Sequence, residues 1–139
     1  MITKFSKLVE LNKKKLDDIE MELGRLQNSR IVIEKKIEDL RKDFSKIKKP
    51  TTGNFTKMNL VYNHLKQLEK EKEFQVEKLD RIKEEILRVQ NLHKKANVEF
   101  EKMKYLDGVE TDKYLKKLAK QEQKDMDEIA NILYARIEE

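Results

Sequence analysis

Between Phe5 and Ile47 apolar side chains return at alternating intervals of three and four residues. The positions are Phe5, Val9, Asn12, Leu16, Ile19, Leu23, Leu26, Arg30, Ile33, Ile37, Leu40, Phe44 and Ile47. All but Asn12 and Arg30 are apolar, and nearly everything between them is charged or bears an amide. An alternation held this long keeps a narrow stripe on one side of a helix, which marks a coiled-coil seam rather than an ordinary surface helix. Gly24 lies inside it and costs about 1 kcal/mol against Ala, an amount that several heptads absorb. A second repeat runs through Met58, Val61, Leu65, Leu68, Lys72, Gln75, Leu79, Ile82, Ile86, Val89, His93, Ala96, Phe100 and Met103. Between the two, Pro50, Thr51, Thr52, Gly53 and Asn54 form a strong breaker cluster, after which Asn54 or Thr56 can cap the next helix.

Two long helices joined by a short connection pack as antiparallel neighbours. The pattern predicts an all-α fold in a single domain, a long antiparallel two-helix coiled-coil hairpin with a C-terminal helical extension. Helix one is expected over 3–48, the turn over 49–55, helix two over 56–106 and the extension over 109–137. If Ile47 faces Met58, Arg30 falls opposite Gln75 and Asn12 opposite His93, so polar interruptions of the two seams meet. Only Lys72, opposite Ile33, stays unmatched. Such polar layers set register at some cost in stability. Asn12, His93, Arg30 and Gln75 are therefore the expected register-setting residues.

A length argument leaves a remainder. Helix one spans about 65 Å at 1.5 Å per residue, and helix two is back at Phe5 by Phe100. Asp107-Gly108 is a weak breaker, beyond which Leu115, Leu118, Met126, Ile129, Leu133 and Ile137 continue an apolar stripe at helical spacing. This segment either projects as a lone amphipathic helix or folds back as a third one. Projection is favoured, because no Pro or second Gly follows to reverse the chain.

Composition narrows the function classes. Of 139 residues 42% are charged and 6% aromatic, with three Gly, one Pro and no Cys. So few turn residues exclude sandwiches, barrels and α/β sheets. Without Cys there is no disulfide, thiolate metal site or thiol nucleophile. The longest apolar run is Ile132 to Ala135, far too short to span a bilayer, and Met1 to Lys15 holds no signal-peptide core. A cytoplasmic location is the expectation.

Neither histidine has companions at metal-ligand spacing. His93 reads as a seam residue and His64 as a solvated helix-face residue. Gly24, Gly53 and Gly108 are isolated, so no phosphate-cradling loop exists. A two-helix shaft offers no concave pocket for catalysis, and neither an enzymatic activity nor a cofactor is expected. Lys13-Lys14-Lys15 and Lys94-Lys95 raise nucleic-acid binding, but Asp17, Asp18 and Glu20 follow at once and no aromatic is interleaved for stacking. A membrane-surface role for the tail is weaker, since its stripe lacks Trp and its polar face is not cationic overall. What remains is protein–protein interaction. On pattern alone, the stripe of Met126, Ile129, Leu133 and Ile137 fits a partner groove as well as it fits packing on its own hairpin or self-association.

Phe5-Ser6-Lys7-Leu8-Val9-Glu10-Leu11 and Lys120-Gln121-Glu122-Gln123-Lys124-Asp125-Met126-Asp127-Glu128 resemble the two ends of the FliJ family. These small soluble proteins belong to the flagellar type III export apparatus and are related to YscO of injectisomes. The resemblance covers the whole chain, which departs from the family in having only four alanines and a Pro50 turn. It implies a non-enzymatic stalk in flagellum biogenesis, motility and chemotaxis, cytoplasmic and peripheral to the inner face of the membrane through the export apparatus. The implied partners are a hexameric, FliI-like export ATPase, the cytoplasmic domain of an FlhA-like export gate, and export chaperones; no nucleic acid and no membrane insertion are implied. Carried onto this sequence, the ATPase-facing residues are Phe5, Leu8, Leu118, Met126, Ile129, Leu133 and Arg136. The gate-facing residues are Leu40, Phe44, Tyr62, His64, Leu65 and Leu68. A reading of another class is a coiled-coil adaptor or client-binding chaperone similar to a prefoldin subunit, although residues 48–57 are too short for the β-hairpin insert of such a subunit.

Overall fold

The computed structural model of the chain describes residues 2–48 and 54–138. Two helices account for nearly all of them, α1 over Ser6–Lys46 and α2 over Phe55–Glu138, and they pack against each other. No strand occurs among the described residues. The 49–53 part of the expected turn lies outside them. Both helix starts are chemically marked. The Thr3 hydroxyl accepts the Phe5 N–H at 3.1 Å, while the Ser6 hydroxyl accepts the Thr3 N–H at 2.9 Å. This reciprocal cap satisfies amides that have no partner inside the helix. At α2 the cap is Asn54 rather than Thr56, its Oδ1 accepting the Lys57 N–H at 2.9 Å.

The expected break at Asp107-Gly108 does not interrupt α2, which is helical through Gly108. Neither Gly24 nor Gly108 has positive φ, and a Cβ at either position meets nothing within 4 Å. With no steric reason for glycine, Gly24→Ala and Gly108→Ala should each raise stability by about 0.5–1 kcal/mol. Chemical denaturation checks this, and destabilisation by either substitution would contradict it.

The contacts divide into two compact units, one of Met1–Leu16 with Lys95–Glu139 and one of Asp17–Lys94. In the second unit the core is thin. Leu26, Ile86 and Val89 are buried, and Ile19, Leu23 and Ile82 pack against them. Ile33 is buried in the same unit, and Leu16 in the first. Each fully buried aliphatic side chain contributes about 2 kcal/mol, so stability is spread along the seam rather than concentrated in a centre. Beside the seam Arg25 binds Glu22 with Nη2–Oε1 at 2.6 Å, and Arg88 binds Glu85. The hydrogen bond from each arginine holds its glutamate below the ordinary carboxyl pKa. This contribution is present at neutral pH and is lost as pH falls through the lowered values. Both carboxylates remain open to solvent, so salt screens it.

The register differs from the expected one by about one heptad. His93 Nε2 lies 3.1 Å from Oε1 of Glu20, not opposite Asn12. In the other unit the Phe100 ring lies 5.8 Å from Nζ of Lys13 rather than facing Phe5. Arg30 and Gln75 do not pair either. Arg30 binds Glu34 on its own helix at 3.1 Å, while Gln75 donates to Glu71 at 3.1 Å and lines a shallow groove with Lys36, Asp39 and Leu40. Sliding one helix by seven residues keeps a seam facing a seam, so apolar periodicity alone cannot choose between these registers. Gln75 is the buried polar residue of the seam, 6% exposed, and its Oε1 has no hydrogen-bond partner. Gln75→Leu should therefore stabilise the fold by about 1–3 kcal/mol. A loss of stability in thermal melts would show that the amide makes a bond worth more than its burial costs.

Candidate functional site

The described residues hold no cluster of His, Asp or Glu able to bind a metal ion, and no helix is long and apolar enough to cross a membrane. The depressions on the surface are shallow and lie along the helices. The candidate sites are therefore exposed side chains, and they fall in two places.

In the first unit, the N-terminal turn of α1 is fastened to α2. The Thr3 and Ser6 hydroxyls both donate to Oδ1 of Asp107, Ser6 at 3.2 Å, and Lys4 Nζ lies 3.7 Å from Oε1 of Glu110. Asp107, which reads in the sequence as part of a breaker, is the anchor of this latch. Thr111 is half-buried and returns its own hydroxyl to the Asp107 carbonyl at 2.9 Å. From 112 to 137 every residue of α2 is exposed. Leu118, Met126, Ile129, Leu133 and Arg136 all lie there, Met126 67% and Leu133 52% exposed. Of the expected N-terminal partners, Leu8 is exposed and Phe5 half-buried. Ile132, Tyr134 and Ile137 add to the uncovered apolar surface.

That stripe has a fixed relation to the seam. Phe100, Met103, Asp107 and Glu110 follow one another at three- and four-residue spacing and are half-buried. Continued along the helix, this line passes Tyr114 and Lys117; Leu118, four residues after Tyr114, flanks it, and Leu115, Ile129 and Leu133 lie farther round α2. The tail's apolar stripe is thus offset round the helix from the seam that α1 covers.

The second place lies in the other unit, where α1 ends and α2 begins. Phe44, Tyr62 and His64 are exposed, whereas Leu40, Leu65 and Leu68 are half-buried. Met58, expected to face Ile47 in the seam, is 53% exposed, and Phe55 and Leu60 are also uncovered. The one-heptad shift explains this: the first turns of α2 run past the last turns of α1 and lose their covering. Phe55, Met58 and Leu60 join this surface through register, a property no residue pattern announces.

A family model, that of the flagellar FliJ protein, matches residues 1–139, the whole chain. The chain belongs to the FliJ family. It is accordingly a stalk-type structural component of flagellum biogenesis and type III protein export. Neither the curated proteins nor the solved structures contain a match. For this FliJ family member the two uncovered surfaces, not a pocket, are where function has to be sought.

Proposed function

We propose that residues 112–137, with the latched N-terminal turn of α1, engage the hexameric, FliI-like export ATPase, and that the surface around Phe44 and Tyr62 engages the cytoplasmic domain of an FlhA-like export gate. Export chaperones associate with the assembled stalk. The work is done on the cytoplasmic side, by binding rather than by catalysis. The observation that carries this reading is the uncovered α2 tail. It is a helix of about 40 Å whose apolar stripe has no covering in its own chain. A helix bearing such a stripe is an anchor for a partner that supplies the missing apolar wall.

The gate-facing assignment rests on less surface. Of Leu40, Phe44, Tyr62, His64, Leu65 and Leu68, the exposed Phe44, Tyr62 and His64 are the available contacts, and the three leucines serve mainly to hold the helices together. Two variants separate the surfaces. Met126→Glu/Ile129→Glu/Leu133→Glu should abolish capture of the ATPase and stimulation of its hydrolysis without moving the melting temperature. Phe44→Ala/Tyr62→Ala should weaken gate binding by about tenfold and leave ATPase capture intact. If the glutamate variant still stimulates the ATPase, the tail is not the contact.

A further inference from the structure

The side of α2 opposite the apolar stripe is also distinctive. Where the seam line leaves the cover of α1 it enters a groove lined by Lys113, Lys116, Lys117 and Lys120, with Lys4 reaching in from the N-terminal turn. Residues separated by three, four and seven share one face of a helix, so these four ammonium groups line one strip about 10 Å long. Residues 113–120 contain no acid. Among the described residues none of the four lysines has a carboxylate at ion-pair distance; Glu110, at the edge of the groove, is turned to Lys4 instead. Ile2, 86% exposed, and Tyr114 add apolar lining. Residues 107–139 carry more acids than bases, yet four of the six bases are gathered into this one strip.

We propose that this groove is a docking site for an acidic polypeptide segment, one presenting two or three carboxylates along an extended or helical stretch. The groove carries this unpaired positive charge whatever the stalk binds. Only the placing of the acidic segment on the same partner that grips the apolar stripe rests on the stalk reading above. Four like charges on one strip repel one another and are relieved by carboxylates of matching spacing. A long polyanion fits less well, because Asp112 precedes the strip and Glu122, Asp125, Asp127 and Glu128 follow it within two turns. An anionic lipid surface would meet the same acids. The apolar lining favours a ligand that has side chains of its own.

The pairing of an apolar stripe on one side with a basic strip on the other has a mechanical consequence. A partner that contacts both must surround the helix rather than cradle one side of it. Apolar contact then supplies affinity, and the lysines supply rotational and axial orientation.

The test uses the full chain and a fluorescein-labelled deca-glutamate peptide, followed by fluorescence anisotropy at low and moderate salt. Lys113→Gln/Lys116→Gln/Lys117→Gln/Lys120→Gln should weaken binding about 10- to 50-fold at low salt. A control with the same loss of charge elsewhere, Lys66→Gln/Lys70→Gln/Lys78→Gln/Lys83→Gln, should change it less than about threefold. Equal losses would overturn the proposal by showing that net charge alone draws the peptide. Tighter strip-dependent binding of an oligothymidylate, or of phosphatidylglycerol vesicles, would overturn it in favour of a polyanion or a membrane. Sedimentation showing a dimer that the four glutamines dissociate would assign the strip to a second copy of the chain and overturn it likewise. A separate capture assay with the export ATPase distinguishes the two levels of argument. Peptide binding with no ATPase capture by the native chain would sink the stalk reading and leave the acidic-segment site standing.

Discussion

Leu26→Asp is expected to abolish cooperative folding of the unit formed by residues 17–94. Leu26 is 8% exposed and sits with Ile86 and Val89, flanked by Ile19, Leu23 and Ile82. Truncating it to alanine should cost about 2–3 kcal/mol through lost contacts and the cavity left behind. That corresponds to a fall in melting temperature on the order of 10 °C. An aspartate adds the penalty of placing an unpaired carboxylate among aliphatic side chains, several kcal/mol more, against a total stability of about 5–15 kcal/mol. A two-helix seam has no second layer to redistribute that loss. Met21→Asp is the control, since Met21 is on the same helix and 74% exposed; it should shift stability by less than about 0.5 kcal/mol. Thermal melts followed by far-ultraviolet circular dichroism give the answer. A Leu26→Asp protein melting like the native chain would mean that the cluster is not what holds these helices together.

Ending the chain after Thr111 should leave stability nearly untouched and remove function. All residues from 112 to 137 are exposed, so their deletion takes away almost no tertiary contact. The latch of Thr3 and Ser6 on Asp107, and the Lys4–Glu110 pair, remain in the shortened chain. The melting midpoint should move by less than about 2 °C, while the helical signal falls by roughly a fifth. Stimulation of the export ATPase should disappear. A midpoint lowered by many degrees would show that the tail is covered by its own chain in solution. Retained stimulation would remove the tail from the functional account. Ending the chain after Met103 instead deletes Asp107 and Glu110 as well; the unlatched start of α1 should then fray, and the comparison isolates the worth of the latch.

Much of this was legible before any coordinates. The alternation of three and four from Phe5 to Ile47, and again from Met58 to Met103, identifies two seam-bearing helices, because only a helix returns such positions to one side. The scarcity of glycine and proline excludes sheets, and the stripe of Leu118, Ile129 and Leu133 is visible as an apolar face with no assigned partner. The family resemblance, carried by the two ends of the chain, agrees with the match over residues 1–139.

The pairing of those helices was not legible, for a reason internal to coiled coils. A heptad pattern maps onto itself when slid by seven residues, so the registers that set His93 across from Asn12 or, one heptad on, from the turn of Ile19 and Glu20 bury the same kind of seam. The choice is made by contacts at the margin of the seam, such as Glu20 with His93, the Phe100 ring beside Lys13, and Thr3 and Ser6 on Asp107. Each is a meeting of residues remote in sequence, carrying no local signature. The same holds for the lysine strip. Lys113, Lys116, Lys117 and Lys120 are plain in the sequence, but they look like any solvated face until the N-terminal turn of α1 is seen to lie beside Glu110, with the next turns of α2 uncovered. Periodicity, which is local and set by the backbone's 3.6-residue turn, determined what kind of elements this chain forms. Register, which depends on a few side-chain contacts between distant residues, decided which of their surfaces remain open to partners.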